Sequence, residues 1–222
     1  MSTTQSRRSF LGKVPLTLTA IAGLAVIARN AEGAVTCDVT PRQTKGPFYP
    51  VVNQLDKDID LTSVAGQAGT ATGEIVWING IVRDTNCNPV ADTLVEIWQA
   101  CASGRYNHPN DPNVEAPLDP NFQYWGRAVT DVNGFYRFKT ILPGAYPADV
   151  GWMRPPHIHF RVLKRGYHEL ITQMYFAGQA LNQQDKILLS LSPDEQKSVT
   201  VYFTTPFVGE PQGTFDIQIK LV

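Results

Sequence analysis

The sequence predicts an all-β fold, a β-sandwich with long loops and few short helices. Three observations predict it. Short strand-like runs recur from residue 74 to the end, turn-forming residues separate them, and only one stretch reads as a helix start. With 222 residues, 43% of them hydrophobic and 18% charged, the chain suits one domain able to bury a single core. A net charge of −1 supplies no basic surface for nucleic acid.

Residues 1–33 read as an export signal. Arg7 and Arg8 in "SRRSFLGK" precede the apolar "VPLTLTAIAGLAVIA" and the small residues of "NAEGA". The arginine pair with Phe10 and Leu11 looks like a twin-arginine signal, so the expected location is periplasmic or secreted. No later stretch approaches 20 apolar residues, and no membrane span is expected in the mature form. Residues 34–73 read as an extended N-terminal arm: the proline-punctuated "CDVTPRQTKGPFYP", then "TSVAGQAGTATG" as a flexible connector.

The sandwich core is expected over 74–222. Strands are read at 74–82, 93–100, 135–141, 157–163, 169–176, 198–205 and 214–222. The turns between them lie in "DTNCNP", "DVNG" and "LPGAYP". In "SPDEQ", Ser192 reads as a helix N-cap and Pro193 as the first helical residue. Cys37, Cys87 and Cys101 match no zinc spacing, and an oxidising destination favours one disulfide and one free thiol, with all three pairings open.

The chemistry-bearing stretch is "WMRPPHIHFRV". Alternate residues of a strand share a face, so His157 and His159 point one way while Ile158 and Phe160 point the other. Two imidazoles on one face suggest a ligand pair. Tyr106 in "SGRYNHPND" and Tyr146 in "PGAYP" are oxygen donors on flanking loops, though a loop tyrosine by itself is more often a packing residue. His108 and His168 lack ligand-like surroundings and read as loop residues. The middle of the chain, "TDVNGFYRF" and "PGAY", resembles transthyretin-like sandwiches. That leaves a second reading open: an exported β-sandwich binding module without catalysis, in which Tyr106, Tyr146, His157 and His159 would not converge.

Taken together, "GPFYP", "VEIWQACASGRYNHPND", "ILPGAYP", "RPPHIHFRV", "LITQMYF" and "FDIQI" resemble the intradiol ring-cleavage dioxygenases, over roughly residues 40–222. The resemblance implies a non-haem Fe(III) held by Tyr106, Tyr146, His157 and His159. It implies a catecholic small-molecule substrate, protocatechuate or a related one, and O2. The ring is opened between its two hydroxylated carbons to a cis,cis-muconate-type diacid. It places Arg154 over the bound ring, Gln173 in the pocket and Tyr49 at its mouth, and implies a homo-oligomer or an oligomer with a related chain. The donors suit the ion: phenolate is a hard anionic ligand and imidazole a borderline one. A 2-His-1-carboxylate ferrous site is disfavoured, since "GWMRPPHIHFRV" holds no Asp or Glu. The chain departs from the family's "I-W-Q-A-N" at Cys101, which is expected to alter the surroundings of the site or to tie its loop through a disulfide.

Overall fold

A computed structural model describes residues 37–54 and 56–222. The export signal expected over 1–33 lies outside the described residues. Twelve strands are described. They are β1 (Ile75–Arg83), β2 (Leu94–Trp98), β3 (Trp125–Val129), β4 (Phe135–Ile141), β5 (Tyr146–Asp149) and β6 (Trp152–Arg154). Then come β7 (His157–Leu163), β8 (Leu170–Phe176), the helix α1 (Pro193–Val199), β9 (Thr200–Val201), β10 (Phe203–Thr204), β11 (Gln212–Thr214) and β12 (Ile217–Gln218).

Two sheets form the sandwich. In one, β4, β11 and β12 all pair with β1, and β10 pairs with β11; the other runs β3-β2-β7-β8-β9. Strand alternation sorts the second sheet's side chains. Val95 and Ile97 of β2 and Ile158, Phe160 and Val162 of β7 enter the main core, where Ile78 and Val82 of β1 and Phe138 of β4 meet them. The opposite face carries Trp98, His157, His159 and Gln173, in register: Trp98 lies opposite His159, and His159 opposite Gln173. Core and site thus lie on opposite faces of β7.

Several sequence expectations are corrected. Strand β3 and the short β5–β6 hairpin lie outside the strands read from the sequence. Gly126 and Arg127 interrupt the apolar pattern of β3, which is held by pairing with β2 rather than by its own propensity. The helix over Pro193–Val199 begins as expected. Ser192 accepts from the Glu195 backbone amide while the Glu195 side chain accepts from the Ser192 amide. The helix consumes the start of the strand read at 198–205, leaving two two-residue strands. The strand read at 214–222 is broken into Thr214 at the end of β11, Ile217–Gln218 and a single bridge at Leu221; between the first two, the Asp216 side chain takes the Ile81 amide at 2.9 Å. Within the connector at 62–73, Thr62 and Ala71 are buried at its ends and residues 65–70 are exposed.

The N-terminal arm lies across the polar face of the second sheet. The Gln43 amide donates to the Ile171 carbonyl at 2.9 Å, and the Thr172 hydroxyl donates to the Pro41 carbonyl at 2.8 Å. A disulfide joins Cys37 at the start of the arm to Cys87, 50 residues on in the β1–β2 turn, and Cys101 is free and buried. Closing a loop of that size restricts the unfolded chain by an amount worth up to about 4 kcal/mol. Cys37→Ser is expected to lower unfolding free energy in urea by about 2–4 kcal/mol. A loss below about 0.5 kcal/mol would show that the hydrogen bonds of the arm suffice.

Candidate metal centre

Four donors meet above β7. The His157 and His159 rings stand 5.0 Å apart at 70°. The Tyr106 ring lies 5.4 Å from Tyr146 and 6.3 Å from His159, and Tyr146 lies 5.7 Å from His157. The Tyr106 hydroxyl is 3.5 Å from His157 Nε2. All four side chains are buried, at 5% exposure or less. The binding-module reading required them to stay apart, and they converge.

Each donor is fixed by its own element. His157 Nδ1 sits 2.7 Å from the Pro155 carbonyl, which as acceptor places the ring proton there and leaves the Nε2 lone pair facing the cluster. His159 stacks on Trp98 at 4.8 Å and 10°, and its Nδ1 is buried without a hydrogen-bond partner. Burial, reinforced by the Arg154 charge, holds both imidazoles well below the usual histidine range, so both are neutral. Tyr106 is anchored by its backbone amide, which donates to Asp111 at 2.6 Å. Tyr146 opens β5 and pairs with Arg154 across the hairpin.

The two tyrosine loops are stitched together at Cys101. Its carbonyl accepts from the amides of Gly104 at 2.9 Å and Gly144 at 3.0 Å, and its own amide donates to the Arg105 carbonyl at 2.9 Å. Neither glycine tolerates a side chain. A Cβ on Gly104, which has φ +83°, would lie 2.3 Å from the Ala145 carbonyl oxygen. One on Gly144 would lie 2.4 Å from both the Ala102 oxygen and the Gly104 nitrogen. The glycines of "SGRY" and "PGAY" therefore bring the phenols together. Cys101 acts through its backbone and forms no disulfide, which corrects the expectation of a loop tied by that bond; its thiol rests 3.2 Å from Ser103 Oγ.

Arg154 is 3% exposed and held on every side. Its Nε donates to Asp185 Oδ2 at 2.8 Å. Its Nη2 donates to Gln173 Oε1 at 2.9 Å and to the Tyr175 hydroxyl at 3.1 Å, and Nη1 lies 3.1 Å from His157 Nε2. Gln173 is committed to this network, since its Nε2 donates to the Thr44 carbonyl of the arm at 2.9 Å. Tyr49 is partly buried; its hydroxyl donates to Glu96 at 3.1 Å and accepts from Arg161 at 3.0 Å, and its ring meets the edge of Trp98 at 5.0 Å. The structure thus sets Tyr49 behind the Trp98–His159 stack. His108 accepts from the Asn110 amide, its ring 5.7 Å from Phe48, and His168 is exposed and outside the cluster. Phe48, whose ring is 4.8 Å from Tyr106 and 6.1 Å from Tyr146, roofs the two phenols.

Sequence reasoning missed Phe48, Trp98, Asp111, Tyr175 and Asp185. Trp98 was legible, since it shares the alternation of "VEIW"; Asp185, in "NQQDKILLS", carries no local signal.

The donor set fits a hard, highly charged cation. Burial raises both phenols against the opposing charge of Arg154, Tyr106 well above the usual tyrosine value with Tyr146 adding to it. Ionising them at neutral pH requires a strong adjacent positive charge, which a bound metal provides. Among the described residues no group of three or more His, Cys, Asp or Glu is placed to hold a metal, so the donors on offer are two phenols and two imidazoles.

Comparison with known proteins places this arrangement. A family model described as dioxygenase matches residues 44–210. The chain is 45% identical over 150 residues to the protocatechuate 3,4-dioxygenase beta chain of Burkholderia cepacia, covering 66% of this chain and 63% of that one. It is 32% identical to the catechol 1,2-dioxygenase of Candida albicans, covering 72% and 61%. Among solved structures, the dioxygenase domain of a dioxygenase–carbohydrate-binding fusion from Streptomyces sp. SirexAA-E superposes with a TM-score of 0.63 at 25% identity, covering 83% and 100%. The matched region spans under two thirds of the length of these curated relatives.

Proposed function

The chain belongs to the intradiol dioxygenase family, and from that premise we propose that it opens catechol-type rings with O2 between the two hydroxylated carbons, at a ferric ion held by Tyr106, Tyr146, His157 and His159. The observation that carries the reading is the convergence of two buried phenols on two buried neutral imidazoles. Ferric iron bound there would supply Lewis acidity toward the substrate's phenolic oxygens and so favour loss of their protons.

The residues supply the rest. Tyr146 Oη takes one catechol proton, and burial favours the neutral phenol it then becomes. Arg154 Nη1 presents a fixed cationic donor where negative charge develops on the ring. Phe48 and Trp98 wall the site and exclude water. One catechol and one O2 give one cis,cis-muconate-type diacid, with no external reductant.

Protocatechuate, catechol and related rings are the proposed substrate class, after the relatives' names. Relatives named as beta and alpha chains support an assembly of copies of this chain or of this chain with a related one. Export to an oxidising compartment is supported by the arginine-pair signal and by the Cys37–Cys87 disulfide. Purified protein loaded with iron is expected to be red-brown from tyrosinate-to-iron charge transfer. It should consume O2 with at least one of protocatechuate, catechol and hydroxyquinol to give a ring-opened diacid. Protein that stays colourless and metal-free after loading, and consumes no O2, would overturn the reading.

A further inference from the structure

We propose that Asp185 is a positioning residue for this reaction, clamping the Arg154 guanidinium so that Nη1 alone faces the candidate ligands; the proposal rests on the dioxygenase reading above. Asp185 is fully buried and approaches the guanidinium side-on: Oδ2 accepts from Nε at 2.8 Å and Oδ1 from Nη2 at 3.2 Å. A two-point fork fixes the plane of the guanidinium as well as its position. Nη2 is further occupied by Gln173 Oε1 and the Tyr175 hydroxyl. Every acceptor around Nε and Nη2 is thereby engaged, and Nη1, 3.1 Å from His157 Nε2, is the nitrogen directed at the site.

An arginine stem has several rotatable bonds, and burial alone does not choose among its rotamers. Arg154 enters from the β5–β6 hairpin, whereas Asp185 comes from the segment between the short 3-10 turns Ala180–Gln184 and Leu188–Ser190. The clamp thus joins two elements distant in sequence, and the carboxylate is itself oriented. Its Oδ1 accepts from the amides of Ile187 at 3.1 Å and Leu188 at 2.8 Å. The ion pair also gives the guanidinium a counter-ion within the core.

A purely structural Asp185 would only cap the turn at Leu188. Asp185→Asn separates the roles, because its Oδ1 still accepts those amides while the charge and the acceptor opposite Nε are lost. With iron-loaded enzyme, Asp185→Asn is expected to lower kcat about 10²-fold, the loss typical of a group displaced by about 1 Å, with less than about a 3-fold change in KM for the catechol. Asp185→Glu, which keeps the charge, should recover part of kcat. In metal-free protein, the Arg154 Nε–H proton should give a slowly exchanging NMR signal in wild type, assigned by its absence from Arg154→Lys, and Asp185→Asn should abolish it. Wild-type kcat in Asp185→Asn, or a persisting Nε–H signal, would overturn the clamp while leaving the dioxygenase reading intact. Wild-type protein that binds no iron and cleaves no catechol would overturn both, leaving the NMR signal to report a structural ion pair only.

Discussion

Gly144→Val is expected to remove iron and ring cleavage together while the sandwich stays folded. A Cβ at this position would lie 2.4 Å from the Ala102 carbonyl oxygen and from the Gly104 nitrogen, both backbone atoms that cannot swing aside. The PGAY loop must therefore lift off Cys101, and the 3.0 Å bond from the Gly144 amide is lost. Because Gly104 donates to the same carbonyl, the displacement reaches Tyr106 as well as Tyr146. Cys101 belongs to the main core, with Ala102 and Leu142 packed against it, so the variant overpacks the edge of that core at a cost of about 1–3 kcal/mol. Turnover should fall at least about 10²-fold. The comparison is with Tyr146→Phe, which removes one oxygen and leaves the loop in place; Gly144→Val should bleach the charge-transfer band further than that variant does. Urea titration, metal analysis and O2 uptake decide it, and a Gly144→Val protein with wild-type colour would show that the loops are not held in this way.

This arrangement also explains which parts of the fold and site were legible in the sequence. Local rules carried the long strands, the Ser192 capping box and the shared face of His157 and His159, because period-2 alternation and side-chain capping act over a few residues. They failed where a distant partner decides the outcome. Strand β3 exists because β2 offers it a ladder, and the C-terminal strand is broken at Asp216, whose side chain takes the Ile81 amide. The same division runs through the site. The tyrosines and histidines sit in loop and strand motifs whose glycines and prolines are visible in the sequence. Asp185 acts on Arg154 from 31 residues away, Phe48 reaches over Tyr106 from the arm, and no spacing within either stretch announces the contact.

Arg154→Leu should be costly twice over, and its two costs should come apart. Removing the guanidinium leaves Asp185 a fully buried charge with no counter-ion, and losing one member of a buried pair destabilises by about 3–5 kcal/mol. Losing the donor at Nη1 removes the group directed at the ring, an effect of about 10²–10³ in kcat for a preorganised donor. Asp185→Leu added to Arg154→Leu takes away the orphaned carboxylate. Replacing both members of a buried pair by apolar side chains is near neutral, so the double variant should recover most of the lost unfolding free energy. It should recover none of the lost turnover, since no donor returns to the site. Equilibrium unfolding in urea and steady-state O2 uptake on wild type, the single variant and the double variant test this. Recovery of kcat alongside stability would mean that Arg154 serves the reaction only by holding the fold. Stability that stays low in the double variant would place the cost in Gln173 and Tyr175, the other acceptors that Arg154 leaves behind, and in the Ile187 and Leu188 amides that Asp185 satisfies.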